Sequence, residues 1–201
     1  MQIIKIIQNF VLFISLVILS FLPLMVAFGD NTFLSTNTWY TISSLAVFLV
    51  MLIRPLSDIF PEIKILRKLV ILRKSFGVLS ASIVVAFMLG KIISPNSHYL
   101  SSIFTVEYWS IKNYAIFAHL GDITGFILLI TSNNLSITLL KRNWKRIQKL
   151  AYVYFYSGAI YKILISGSRT SLVAIIIITT VVIWAFILNR KKEVYQTLEI
   201  G

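Results

Sequence analysis

Hydrophobic and polar positions alternate along this chain in long blocks. Six apolar blocks stand out, at 10–28, 39–53, 75–93, 114–132, 150–165 and 171–188. The first reads FVLFISLVILSFLPLMVAF and the last SLVAIIIITTVVIWAFIL. A helix rises about 1.5 Å per residue, so about 20 apolar residues cross a hydrocarbon core roughly 30 Å thick. Most blocks approach that length; 39–53 is short and needs 36–38 to span. A signal peptide is a poor fit to 10–28, because its apolar run is only about 7–15 residues and ends at a small-residue cleavage site. The pattern predicts an all-α polytopic membrane protein, a six-transmembrane-helix bundle forming a single membrane domain over residues 1–201.

Composition agrees. The chain is 58% hydrophobic and 13% charged, whereas soluble domains are about half apolar and about a quarter charged. It has no cysteine, which excludes disulfides, thiolate metal sites and cysteine nucleophiles. The net charge of +12 suits nucleic acid on a soluble protein, but here the cations sit in short loops. They read as topology signals and contacts for anionic lipid, with no nucleic-acid partner.

Those cations also orient the bundle. Fifteen fall on Lys5, the 2–3 loop (Arg54, Lys64, Arg67, Lys68, Arg73, Lys74), the 4–5 loop (Lys141, Arg142, Lys145, Arg146, Lys149) and the tail (Arg190, Lys191, Lys192). Four, namely Lys91, Lys112, Lys162 and Arg169, fall on the other side. The positive-inside rule places both termini and the two basic loops in the cytoplasm. The location expected is a bacterial inner membrane, with an organellar inner membrane as the alternative. No nucleotide-binding motif or soluble module appears, so the chain is not expected to be a self-contained enzyme.

Ionisable and polar residues within the apolar blocks are the candidates for chemistry. His119 and Asp122 lie three apart and share a helix face. They read as a hydrogen-bonded pair near the outer end of the fourth span, with a proton relay or ligand pair as the sharper alternative. Lys162 and Arg169 flank the 5–6 loop and are expected to snorkel outward; the alternative is that they hold an anionic group. Ser80, Ser82, Thr124, Ser157, Gly125 and Gly158 are expected to let helices approach closely, or to leave room for a flat cofactor. Tyr154 and Tyr156 are too deep for an interfacial belt and need hydroxyl partners inside the bundle or on a ligand.

Three stretches carry a family resemblance. IRPLSDIFPEIKILRKLVILRKSFGVLSASIVVAFM (53–88) has a proline turn after the second span, then a basic pair and a glycine (Arg73, Lys74, Gly77) opening the third. TSNNLSITLLKRNW (131–144) is a Thr-Ser followed by a basic loop closed by tryptophan. WKRIQKLAYVYFYSGAIYKI (144–163) is a basic-flanked aromatic span. In order and spacing these resemble the ferric-reductase-like transmembrane domain. The nearest likeness is to the haem-binding membrane subunit of bacterial methionine-sulfoxide reductase systems. The resemblance implies a bundle that passes electrons across a membrane through b-type haem held by histidines on the third and fifth spans. At the matching positions this chain has Phe87, Gln148 and Tyr161. The b-type haem is therefore expected to be absent, with flavin, quinone or an unusually ligated haem left as alternatives. His98 and His119 are a remote substitute pair.

The function expected is a haem-less structural or accessory subunit of a larger membrane complex, with Phe87 and Tyr161 filling the vacated space. Its partners would be lipids and other membrane subunits or a redox protein. The alternatives are an electron-transfer subunit with another cofactor, and a small transporter or channel built on His119 and Asp122.

Overall fold

A computed structural model describes residues 2–29, 35–95, 97–111 and 114–199, with 108, 134 and 191–199 described by backbone alone. Lys112 and the side chains of Lys191 and Lys192 lie outside this description. The described residues are helical, without strands. In chain order the helices are α1 (Gln2–Phe28), α2 (Thr36–Ile59), α3 (Lys64–Leu69), α4 (Leu72–Ile93), α5 (Tyr99–Ser102), α6 (Ala115–Thr131), α7 (Asn134–Leu140), α8 (Arg142–Ile147), α9 (Leu150–Ser166) and α10 (Arg169–Glu199), with a short 3₁₀ turn at Val106–Trp109. Four described helices are long and apolar enough to cross a membrane: α1, α2, α4 and α10 over Arg169–Arg190. Helix α6 is apolar but shorter. At 17 residues each, α6 and α9 extend about 25 Å.

Local chemistry sets the helix ends. The Ser35 hydroxyl accepts from the Thr38 N–H to cap α2, and the Asn133 side chain does the same for α7 from Ser136. Gly167, at φ +60°, ends α9 in the left-handed conformation glycine adopts without steric cost, and its N–H closes onto the Ile163 carbonyl.

The second span departs from expectation. The sequence suggested a block ending at 53 and then a proline turn, yet α2 runs through Pro55 to Ile59. Proline lacks an N–H and disturbs the carbonyls one turn earlier. Pro55 has no N–H to give the Met51 carbonyl, and the neighbouring Val50 carbonyl accepts from Nε of Arg73 at 3.0 Å. One member of the basic pair thus joins α4 to α2 one residue from that gap.

Helix α4 is the centre of the bundle, packed against α1, α2 and α6; α6 packs on α9, and α10 on α2 and α9. Its Ile83 and Ala86 are fully buried, as are Ser75, Ser80 and Ser82 nearly so. One apolar cluster (Val47, Met51, Val84, Leu128, Phe155, Ile178) joins five helices, and a second (Ile18, Leu22, Ile83, Ala86, Phe87) joins α1 to α4. Gly90 sets the α1–α4 approach, because a Cβ there would stand 2.6 Å from Val26 Cβ and 2.9 Å from the Pro23 carbonyl oxygen. Large apolar side chains on α1 and α10, including Phe10, Phe13, Phe21, Ile183 and Phe186, face outward. That suits surroundings of lipid, with backbone polar groups satisfied inside each helix.

Candidate functional site

One end of the bundle is hollow. A cavity of about 670 Å³ is lined by Val26 near the end of α1, Asn37 at the start of α2, Lys91 near the end of α4, Ala115 at the start of α6, Ser166 at the end of α9 and Ser171 near the start of α10. These six helix ends therefore meet at one side. The opposite ends of α2, α4, α6 and α9 lead into the basic segments at Arg54–Lys74 and Lys141–Lys149. The size lies within the range of small-molecule pockets, roughly 300–1,000 Å³.

Beneath its lining residues Ser43 and Tyr154 lies a buried hydroxyl cluster. The Tyr154 hydroxyl lies 2.9 Å from Ser80 Oγ and 3.4 Å from Ser43 Oγ, and the two serine hydroxyls are 2.8 Å apart. All three side chains are buried, and they tie α9, α4 and α2 together. Gly125 of α6 makes room for the Tyr154 ring, since a Cβ there would come within 3.1 Å of it. Gly121 likewise faces Ser157. Thr124 returns its hydroxyl to its own helix, as does Ser157. Of the small residues singled out, Gly158 has no neighbour within 4 Å of an added Cβ and opens onto the cavity. Tyr156 turns away, its hydroxyl 2.8 Å from Thr179 Oγ1 of α10.

Lys162 does not snorkel outward. Its Nζ donates to Ser44 Oγ at 2.7 Å and to the Tyr40 carbonyl at 3.3 Å, both on α2, and it lines the cavity. A Cα–Cβ bond tilts toward its helix N-terminus, and Lys162 stands near the C-terminus of α9. Its stem therefore leans back into the bundle. Among the described residues no carboxylate lies within ion-pair distance of it; the ion pair found there is Arg54–Asp58 at 3.9 Å. Arg169 is exposed at the start of α10.

His119 and Asp122 both line the cavity but do not form the expected hydrogen-bonded pair. The Asp122 carboxylate accepts from the Tyr99 hydroxyl of α5 at 3.2 Å. The His119 ring sits edge-on to Trp109, centroids 5.9 Å apart. The Lys91 ammonium lies 5.5 Å from the centre of the Tyr99 ring, a cation–π contact. The 3–4 loop is thereby fastened to α4 and α6.

The positions that the resemblance matched to haem ligands separate. Phe87 and Tyr161 border the cavity, from α4 and α9. Phe87 stacks on Tyr40 with centroids 5.0 Å apart at 19°. The cavity persists because polar groups (Ser43, Ser44, Lys162, Asp122) share its lining, and a polar hollow accepts water or a ligand. Gln148 is elsewhere, at the basic end, its Nε2 3.5 Å from Thr131 Oγ1. The Thr131 carbonyl takes the Trp144 indole N–H at 2.9 Å, which joins the two ends of the TSNNLSITLLKRNW stretch. A bis-imidazole b-type haem does not fit these residues. Phenylalanine offers iron no lone pair, and of the two histidines His119 reaches the cavity wall whereas His98 precedes α5.

Sequence reasoning passed over Tyr40, Ser43 and Ser44. Their i, i+3, i+4 spacing puts one aromatic ring and two hydroxyls on one helix face, the face that α2 turns to the cavity. All three lie inside the 39–53 block, where their alternation with apolar residues reads as ordinary helix packing. Comparisons with protein-family models, with characterised proteins and with solved structures found no match.

Proposed function

We propose that the chain is a haem-less, ferric-reductase-like membrane subunit that holds a small aromatic cofactor of flavin or quinone kind in this cavity. It serves a larger membrane complex in which a partner chain supplies or takes the electrons. The observation that carries the reading is the coincidence of Phe87 and Tyr161 on one open, partly polar cavity. A scaffold that had lost its cofactor and become purely structural gains stability by filling such a space. This one keeps it, lined by Ser43, Ser44 and Tyr154 and walled by the stacked Tyr40 and Phe87 rings.

The topology that goes with this reading has six spans, with α6 and α9 as the short ones and both termini cytoplasmic. Two features support it: six helix ends converge on the cavity, and the basic segments lie at the other ends. The cavity then faces the extracytoplasmic side. Asp122 is engaged by Tyr99 rather than by His119, which removes the pair on which a transporter reading rested.

The test is an absorption spectrum of the protein purified in mild detergent from its own membranes. Flavin or quinone bands without a Soret band are expected. A reducible Soret band at stoichiometric haem would overturn the proposal.

A further inference from the structure

Lys162 is the feature of this cavity that helix packing does not account for. An ammonium inside a membrane bundle is costly and normally sits against a carboxylate or in an aqueous path. Here the described residues offer it two neutral oxygens, Ser44 Oγ and the Tyr40 carbonyl. Three donors on an ammonium minus those two leave one N–H. The Ser44 hydroxyl itself donates to the Tyr40 carbonyl at 2.6 Å, so its oxygen is turned to receive Lys162 and the ammonium is held in place. Beside it the wall is aromatic: Tyr161 on the same helix, and the stacked Tyr40–Phe87 pair across the hollow. The charges lining the cavity are two ammonium groups, Lys91 and Lys162, against one carboxyl group, Asp122, which is turned to Tyr99.

We infer that Lys162 is the anchor for an anionic oxygen on an aromatic ligand, the charged group resting on Nζ and the ring lying against Tyr40 and Phe87. The inference rests on the proposed ligand-holding role and narrows it to the anionic forms of that class, a reduced quinone as its phenolate or a reduced flavin as its anion, for which an aromatic carboxylate serves as the probe. Positioning comes from Ser44, which fixes the ammonium. Selection comes from the missing counter-charge, which a neutral ligand cannot supply.

The experiment uses the full chain in phosphatidylcholine nanodiscs, titrated with 2-naphthoate and with neutral 2-naphthalenemethanol. Wild type is expected to bind naphthoate more tightly, and Lys162→Gln to weaken naphthoate roughly ten- to a hundredfold, the worth of a hydrogen bond to a charged group. The alcohol should change little, and Lys162→Arg should retain most of the naphthoate affinity. Thermal melts of both variants check the fold. Equal affinity for the two probes, or naphthoate binding unchanged in Lys162→Gln, would overturn the anchor and leave the cavity reading standing. No binding of either probe would overturn both. Naphthoate affinity lost in phosphatidylglycerol discs, through competition that Lys162→Gln abolishes, would assign the ammonium to a lipid headgroup and overturn the aromatic class.

Discussion

The Lys162 ammonium stands 2.7 Å from the Ser44 hydroxyl, joining the C-terminal part of α9 to the N-terminal half of α2 at the wall of the cavity. This contact sets the character of the site. It turns a cation that could have reached the membrane surface into part of a cavity wall.

The scaffold can be probed by restoring what it lacks. Phe87 and Tyr161 border the same cavity from different helices. The double variant Phe87→His with Tyr161→His is expected to acquire haem when expressed with haem supply, read as a Soret band that shifts on reduction. A variant that folds, by its melting curve, yet stays colourless would count against the ferric-reductase-like ancestry.

The buried hydroxyl cluster of Ser43, Ser80 and Tyr154 has a modest energetic role. Tyr154→Phe removes the phenol but leaves Ser43 and Ser80 bonded to each other at 2.8 Å, so neither serine is orphaned. The expected cost is about 0.5–1.5 kcal/mol in detergent melts, the range of a single hydrogen bond. Tyr154→Ala is expected to cost about 3–5 kcal/mol, since it also empties the space beside Gly125.

Close approach of α1 to α4 at Gly90 is expected to tolerate no side chain. Gly90→Ala should destabilise by about 1–3 kcal/mol through overpacking. Val26→Ala should fail to rescue it, because the clashing atoms are the Val26 Cβ and the Pro23 backbone oxygen. Rescue in the double variant would mean that α1 sits differently on α4.

Arg73 and Lys68 both belong to the basic segment after α2 but should behave unlike each other. Arg73→Met strips a donor from the Val50 carbonyl beside the Pro55 break and is expected to cost about 1.5–3 kcal/mol. Exposed Lys68→Met serves as the control, expected to change the melting temperature little. Equal melting temperatures for the two variants would remove Arg73 from the α2–α4 junction.

Orientation can be read directly because the chain has no cysteine. Ser166→Cys, at the cavity end, is expected to react with a membrane-impermeant maleimide in intact cells. Lys145→Cys, in the basic segment, should react only after permeabilisation. The reverse pattern would invert the proposed topology.

Much of this architecture was legible in the sequence. Five apolar blocks lie within or nearly coincide with α1, α4, α6, α9 and α10, because long unbroken apolar runs leave few other solutions. The second block was cut short at Arg54 and Pro55. A proline normally ends a helix, and the Arg73 contact to the nearby Val50 carbonyl comes from another helix that no local pattern reveals. The site was harder. Lys162 stood at a span end, where snorkelling is usual, and only the lean of its stem toward the helix N-terminus hinted otherwise. Asp122 appeared paired with His119 because i, i+3 spacing allows it; the competing partner, Tyr99, lies in a loop whose fold apolar periodicity does not encode. That Phe87 and Tyr161 border a cavity depended on backbone separation, which side-chain identity does not give.

The central claim, that this cavity holds an aromatic organic molecule, is tested most directly by solvent extraction and mass spectrometry of protein purified from its own membranes. Wild type is compared with Gly158→Phe. Gly158 opens onto the cavity with nothing within 4 Å of an added Cβ, so a side chain can start there, and phenylalanine is chosen to take up the space proposed for the ligand. The account expects close to one aromatic molecule per wild-type chain and almost none in Gly158→Phe, with both proteins folded. Equal content in the two, or a wild-type protein that carries no such molecule, would contradict it.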